Sequence, residues 1–187
     1  MAGITVWEFQ ELFLWMKITI LFRNLQKKDV YKRQSQMFRL SLNRGQTQTT
    51  IQHELSHVRS YFQIQNIRYD GKFSLNVEVE PELLSYHMIN FILQPIVENS
   101  IIHGFEEKIG LGKIDIRIYT EEEKLFFQIR DNGIGFNHSA NEEIPNGYAL
   151  QNIQRRIHLY YGNAYGLTLE SKLGQGCLAI IVLPYKG

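Results

Sequence analysis

The chain has 187 residues, of which 44% are hydrophobic and 21% charged, and a formal net charge of +1. That length suffices for one domain with a proper core plus an appendage, and the balanced charge, without a basic block or stripe, excludes nucleic acid as an implied partner. The single cysteine, Cys177, excludes an internal disulfide and a four-thiolate zinc site, and fits a reducing compartment.

Taken in chain order, the first apolar run is Phe13–Phe22. It is too short to span a bilayer, contains Lys17 and lacks the basic start and cleavage site of a signal peptide. The chain as given is therefore expected to be soluble. Residues 1–34 end in a polar basic stretch, Lys27–Gln34, with no cap or clear period. We read them as a short helix and linker, or as sequence foreign to the natural domain or left by truncation. Met37–Leu42 looks like the end of a helix closed by Asn43-Arg44-Gly45, with Gly45 as its C-terminal cap.

Thr49 followed by Gln52 fits a capping box, and Ile51, Leu55, Val58, Phe62, Gln65 and Tyr69 recur at alternating steps of four and three. This predicts a helix over 50–69 with a packing seam, the second arm of a helical hairpin that could serve dimerisation. After Asp70-Gly71 the period changes. Residues 74–80 alternate as a strand, 82–103 are helical in composition, and Pro95 either kinks that helix or sits in the first turn of a new one. Strands are predicted over 113–119, 124–130, 166–171 and 177–183, a mobile loop over 137–147 and a helix over 149–160. Together these predict an α+β fold with an antiparallel or mixed sheet and helices on one face.

Three stretches carry candidate chemistry. His53-Glu54-Leu55-Ser56-His57 matches H-E-x-x-H on a helix, with both histidines on one face to hold zinc and Glu54 as general base. Against a zinc peptidase, the packing seam leaves these histidines on the flanks, and no third ligand follows at a recognised spacing. In Gln94–Gly104, Asn99 and His103 lie four apart, on one helix face. A neutral amide oxygen suits magnesium held mainly by phosphates, and His103 could reach a phosphate oxygen. Asp131-Asn132-Gly133-Ile134-Gly135-Phe136 leaves a strand. Its carboxylate can accept from an exocyclic amine, while glycines let a flat ring approach the backbone. Read alone, Asp-Asn-Gly is also an ordinary turn. Gly147–Asn152 opens a helix whose backbone N–H groups could meet phosphates, and Gly174-Gln175-Gly176 joins the last two strands. No P-loop is present.

In this order the four pieces resemble the N box, first glycine box, lid glycine box and terminal glycine turn of the histidine kinase, gyrase B and MutL ATPase superfamily. Leu93–Asn99 and Arg156–Gly162, with Phe38–Leu42 and Glu54–Tyr61, are similar to the YesM-like and LytS-like sensor histidine kinases, in their C-terminal part. The resemblance covers about residues 35–187. It implies a two-layer α/β sandwich of the histidine-kinase ATPase type over 71–187, preceded by a partial helical dimerisation region over 35–70. It also implies ATP and Mg2+ as cofactors, a response regulator as partner and a homodimer in the full-length kinase. A membrane anchor would lie in missing N-terminal regions, with this part cytoplasmic.

By the same resemblance Asn99 would hold magnesium, and Asp131 would accept from the adenine amine. Gly133 and Gly135 would floor the pocket, and Gly147, Leu150 and Asn152 would belong to the lid and its helix. Gly174 and Gly176 form the terminal turn, and Glu98 is a candidate for polarising a water or supporting the metal. The chain departs from the pattern in having Ala149 at the second lid glycine, Ile102 where a basic residue is common, and Cys177 in place of a threonine. None of the six histidines, 53, 57, 87, 103, 138 and 158, has the Pro-His-Phe-x-Tyr-Asn context of the family's phosphoacceptor. The resemblance thus implies transfer of the ATP γ-phosphoryl group to a histidine that this chain lacks. A nucleotide-binding interaction module without turnover is the alternative.

Overall fold

A computed structural model describes residues 47–105, 108, 110–144 and 148–185 of the chain. The expectations for residues 1–34 and 35–45, and for Gly147, lie outside the described residues.

Strand β1 (Gln48–Thr50) leads directly into helix α1 (Ile51–Arg68). Thr50, not Thr49, is the N-cap: its side chain accepts from the His53 N–H at 3.2 Å. Thr49 lies in β1, which pairs antiparallel with β3 (His87–Ile89), an element the sequence did not suggest. The helix closes with a Schellman arrangement, Gly71 N donating to Asn66 O and Asp70 N to Ile67 O, with Asp70 in the left-handed region. The predicted seam is buried at Ile51, Leu55, Val58 and Phe62. Those residues belong to the same core as the sheet, and residues from Gln48 onward form one compact unit.

The sheet holds five strands in the order β2 (Phe73–Val79), β4 (Gly112–Glu121), β5 (Lys124–Asp131), β7 (Gly176–Pro184) and β6 (Gly166–Lys172). Only β2 and β4 pair in parallel; the others are antiparallel. Alternation decides which side is buried. Ile114, Ile116 and Ile118 of β4, with Leu125, Phe127 and Ile129 of β5, are shut in, whereas Lys113, Arg117 and Arg130 are exposed. Ala179, Ile181 and Leu183 continue the buried face across β7, and Ile153 and Ile157 of helix α3 (Tyr148–Tyr161) join the same core. The result is the mixed sheet with helices on one face that the element order implied.

The largest correction falls on residues 86–93, which are not helical, whereas Pro95 does sit in the first turn of a new helix, one of the two options its position left open. A 3-10 turn (Pro81–Ser85) precedes β3, and helix α2 (Gln94–Asn99) starts only after an irregular link, with Pro95 in its first turn. A π-helical turn, Ser100–Gly104, then follows α2 directly. The physical reason is Glu54 of α1. Its carboxylate takes the N–H groups of Phe91 at 2.8 Å, Ile92 at 2.9 Å and Leu93 at 3.0 Å, which a continuous helix would have needed for itself. Phe91 adopts φ 53°, so the chain turns sharply there.

Candidate nucleotide site

Asp131 ends β5 opposite Ile114, and so faces the helix layer. It is 7% exposed. Its Oδ1 accepts from the N–H of Gly133 at 2.8 Å and from the N–H of Cys177 at 3.2 Å. Its Oδ2 accepts from the Ser100 hydroxyl at 2.8 Å. The strand end, the π-turn and the start of β7 therefore converge on one carboxylate.

The loop leaving β5 is held on both sides. Asn132 Oδ1 accepts from Lys113 N at 2.7 Å, and Ile134 N donates to Gly104 O at 2.9 Å. Gly133 lies so close to Gly104 that a Cβ on it would sit 2.6 Å from the Gly104 carbonyl oxygen. Gly135 (φ 62°) and Gly176 (φ 84°) meet across the loop, where a side chain on either would strike backbone. Gly174 N donates to Ile134 O at 2.6 Å. The two glycine motifs, 41 residues apart between Gly135 and Gly176 in the sequence, are thus one backbone assembly. Ser171 pins its rim: its hydroxyl accepts from Phe136 N and donates to Gly176 O, each at 2.9 Å.

Asn99 is half-buried at the end of α2, and Gln94 Nε2 donates to Glu98 Oε1 at 2.9 Å one turn back. His103 is exposed on the π-turn, so the wider turn, not an α-helical one, sets its offset from Asn99. Ile102 beside it is also exposed. In α3, Leu150 packs against the core and Asn152 faces solvent. The structure therefore brings Asp131, Gly133, Gly135, Gly174 and Gly176 into contact through their backbone. Asn99 is joined to them through Ser100, its sequence neighbour.

The segment after Phe136 begins in an ordered way. His138 N and O exchange hydrogen bonds with Ser171, and His138 Nδ1 lies 3.1 Å from Glu142 Oε2. Burial raises the Cys177 thiol to about 11, and the nearby Asp131 charge adds to the shift.

The H-E-x-x-H reading does not survive. Glu54 is 1% exposed and turned inward to the 91–93 backbone, so it is no base for a solvent-facing metal. Nor do the described residues contain a cluster of three or more His, Cys, Asp or Glu able to hold a metal ion. Arg156 of α3 completes this buried anchor, donating to the Asn90 carbonyl at 2.6 Å and to Asn90 Oδ1 at 2.8 Å.

The sequence left no sign of the roles of Ser100, Ser171 and Arg156, and its motif pointed Glu54 to a metal-site role in place of its role as a buried anchor. For Glu54 a signal existed: it sits three residues after Ile51 and four before Val58, on the seam itself. Ser100 and Ser171 act through contacts distant in sequence and left no local mark.

A family model described as Histidine kinase matches residues 16–73. The sensor protein LytS of Bacillus cereus is 28% identical over 145 residues, covering 73% of this chain and 25% of that protein. The chain thus spans about a quarter of the length of that curated relative. Among solved structures, the catalytic domain of histidine kinase ThkA aligns at a TM-score of 0.55 and 15% identity, covering 75% of this chain and 98% of that one. ThkA in complex with the response regulator protein TrrA aligns at 0.56 and 15%, covering 85% and 49%. At such identity these structures speak to the fold, which is that of histidine kinase ATPase domains.

Proposed function

The chain carries a LytS-like sensor histidine kinase domain, and from that premise we propose that it binds Mg·ATP and donates the γ-phosphoryl group to a histidine on a partner chain. The observation that carries the reading is the environment of Asp131. Three donors hold this carboxylate on a floor of glycine backbone, and an ionised carboxylate has about four acceptor positions. One acceptor position therefore remains, and a purine 6-amino group would fill it. The missing side chains at Gly133 and Gly135 let this loop pack directly on the backbone of Gly104, Lys172 and Gly176, which fixes Asp131 for the base.

The donor set fits the rest of the cofactor. Asn99 offers a neutral amide oxygen of the kind a magnesium ion accepts beside phosphate oxygens, and Glu98 adjoins it in sequence. His103, exposed on the following turn, would contact a phosphate. Gly147, Leu150 and Asn152 would form the lid and the helix start beside it, and Gly174 and Gly176 would support the floor from behind. When bound, Mg·ATP supplies the transferable phosphoryl group, and the metal neutralises its charge. The protein's part is positioning: Asp131 fixes the base, and so the distance from base to Asn99 sets where the phosphates lie. The partners proposed are ATP, a response regulator and a second copy in the full-length kinase.

Ala149 and the exposed Ile102 favour a second reading, a nucleotide-binding module without turnover, because each removes a phosphate contact the resemblance implied. One experiment separates the two. The chain is incubated with Mg·ATP and a partner kinase chain that carries an intact acceptor helix but an inactivated nucleotide site. Phosphohistidine on the partner is the expected result. Its absence, with ATP binding retained, would leave the binding module.

A further inference from the structure

The Asp131 carboxylate is oriented by a hydroxyl that the proposed reaction does not use. Ser100 is buried, and its Oγ lies 2.8 Å from Asp131 Oδ2 and 3.3 Å from the carbonyl of Ile96. A hydroxyl has one proton, and the shorter, charge-assisted contact to the carboxylate is the stronger claim on it. Oδ1 already carries two backbone donors, Gly133 N and Cys177 N. With about two acceptor positions per oxygen, Oδ1 is full and Oδ2 has one place left. Without Ser100 the carboxylate would be gripped along one edge only, and Oδ2 would have two open positions, one of them free to take water in place of the base.

We propose that Ser100 is a positioning residue for base selection: by occupying one side of Asp131 Oδ2, it leaves a single acceptor aimed at a 6-amino purine and disfavours a 6-oxo purine. This rests on the ATP reading above. A 6-amino purine brings an N–H to the open place. A 6-oxo purine brings a carbonyl oxygen against a carboxylate oxygen that cannot turn away, because Ser100 and the two backbone donors hold it. Selectivity would thus come from how firmly Asp131 is fixed as well as from its charge. The π-turn matters here, since it begins at Ser100 and delivers the residue to the end of β5.

The test is calorimetric titration of ATP and GTP, each with magnesium, into wild type, Ser100→Ala, Ser100→Cys and Ser100→Thr. Circular dichroism would confirm that each variant folds. Ser100→Ala is expected to weaken ATP roughly tenfold, the effect of one lost charge-assisted hydrogen bond, with GTP little changed, so that the ATP-to-GTP preference falls by a similar factor. Ser100→Thr, which keeps the hydroxyl, should retain the wild-type preference. Should the alanine variant not fold, the near-isosteric cysteine, a weak donor, reads the same loss. An unchanged preference in a folded Ala or Cys variant would overturn the inference. So would equal weakening of both nucleotides, which is what a merely structural role predicts. Wild type that binds ATP while the preference ignores Ser100 removes this inference alone; wild type that binds no nucleotide removes the ATP reading and this inference together.

Discussion

Two buried carboxylates of this domain, Glu54 on a helix and Asp131 at a strand end, accept hydrogen bonds from backbone N–H groups, yet they do different things. Glu54 receives Phe91, Ile92 and Leu93, and the Gln94 N–H also favours its charged form. Its acceptor positions are filled by its own chain, and Arg156 adds a favourable charge interaction. Asp131 receives two backbone N–H groups and one hydroxyl, and Gly104, Gly133 and Gly176 lie close beside it. The first is an anchor that ties α1, the link before α2 and α3 together. The second has an acceptor to spare beside close-packed glycine backbone. Burial alone does not separate the two; spare hydrogen-bonding capacity is what sets the proposed site apart from the anchor.

Paired substitutions are the strongest way to break this contrast. In Asp131→Asn, an amide nitrogen replaces Oδ2 and faces a purine amine donor to donor, so ATP binding should weaken at least about hundredfold at little cost in stability. Glu54→Gln should do the reverse, lowering unfolding free energy by about 3 kcal/mol because a single amide oxygen cannot serve the N–H groups of residues 91–94. Nucleotide affinity of the protein that remains folded should be close to wild type. Denaturant melts and titrations of the two variants check both arms, and a Glu54→Gln protein that is fully stable but blind to ATP would collapse the distinction.

Gly135→Ala tests whether the two glycine motifs are one assembly. A Cβ there meets the Lys172 carbonyl oxygen at a positive φ of 62°, so a loss of about 2 kcal/mol is expected in thermal melts. A neutral outcome would mean that the loop and the terminal turn are not packed as described.

A smaller effect concerns pH. Burial raises the Glu54 carboxyl above its ordinary 4.5, outweighing the backbone N–H groups that lower it. The folded state therefore holds this proton more tightly than the unfolded chain. As pH rises from 4.5 through the raised value, wild type should lose stability relative to Glu54→Gln, a slope readable from denaturant melts across that range. The opposite slope would show that the hydrogen bonds, not burial, dominate. Smallest of all, the Cys177 thiol, raised from 9.0 to about 11, should label with a disulfide reagent at pH 8 about a hundredfold more slowly in the folded protein than in denaturant.

What the sequence disclosed follows the range of the interactions involved. Strand alternation at Ile114, Ile116 and Ile118 and the seam at Ile51, Leu55, Val58 and Phe62 are local patterns, and the structure buries those residues. The roles proposed for Asp131 and the glycines rest on their order along the chain, which carries the resemblance, and the structure joins the first and last motifs through backbone contact. Pro95 announced a new helix, but the non-helical link before Gln94 was not legible, because its cause is Glu54, at least 37 residues upstream of the N–H groups it takes. Thr49 was misread as a cap because nothing local announces that it pairs with Met88 in a two-stranded ladder.

The most direct test of the central claim is a calorimetric titration of ATP with magnesium into the wild-type chain and Asp131→Asn. Saturable binding in the micromolar range is expected for wild type, with its loss in the variant. No binding by folded wild type, or equal binding by both proteins, would contradict it.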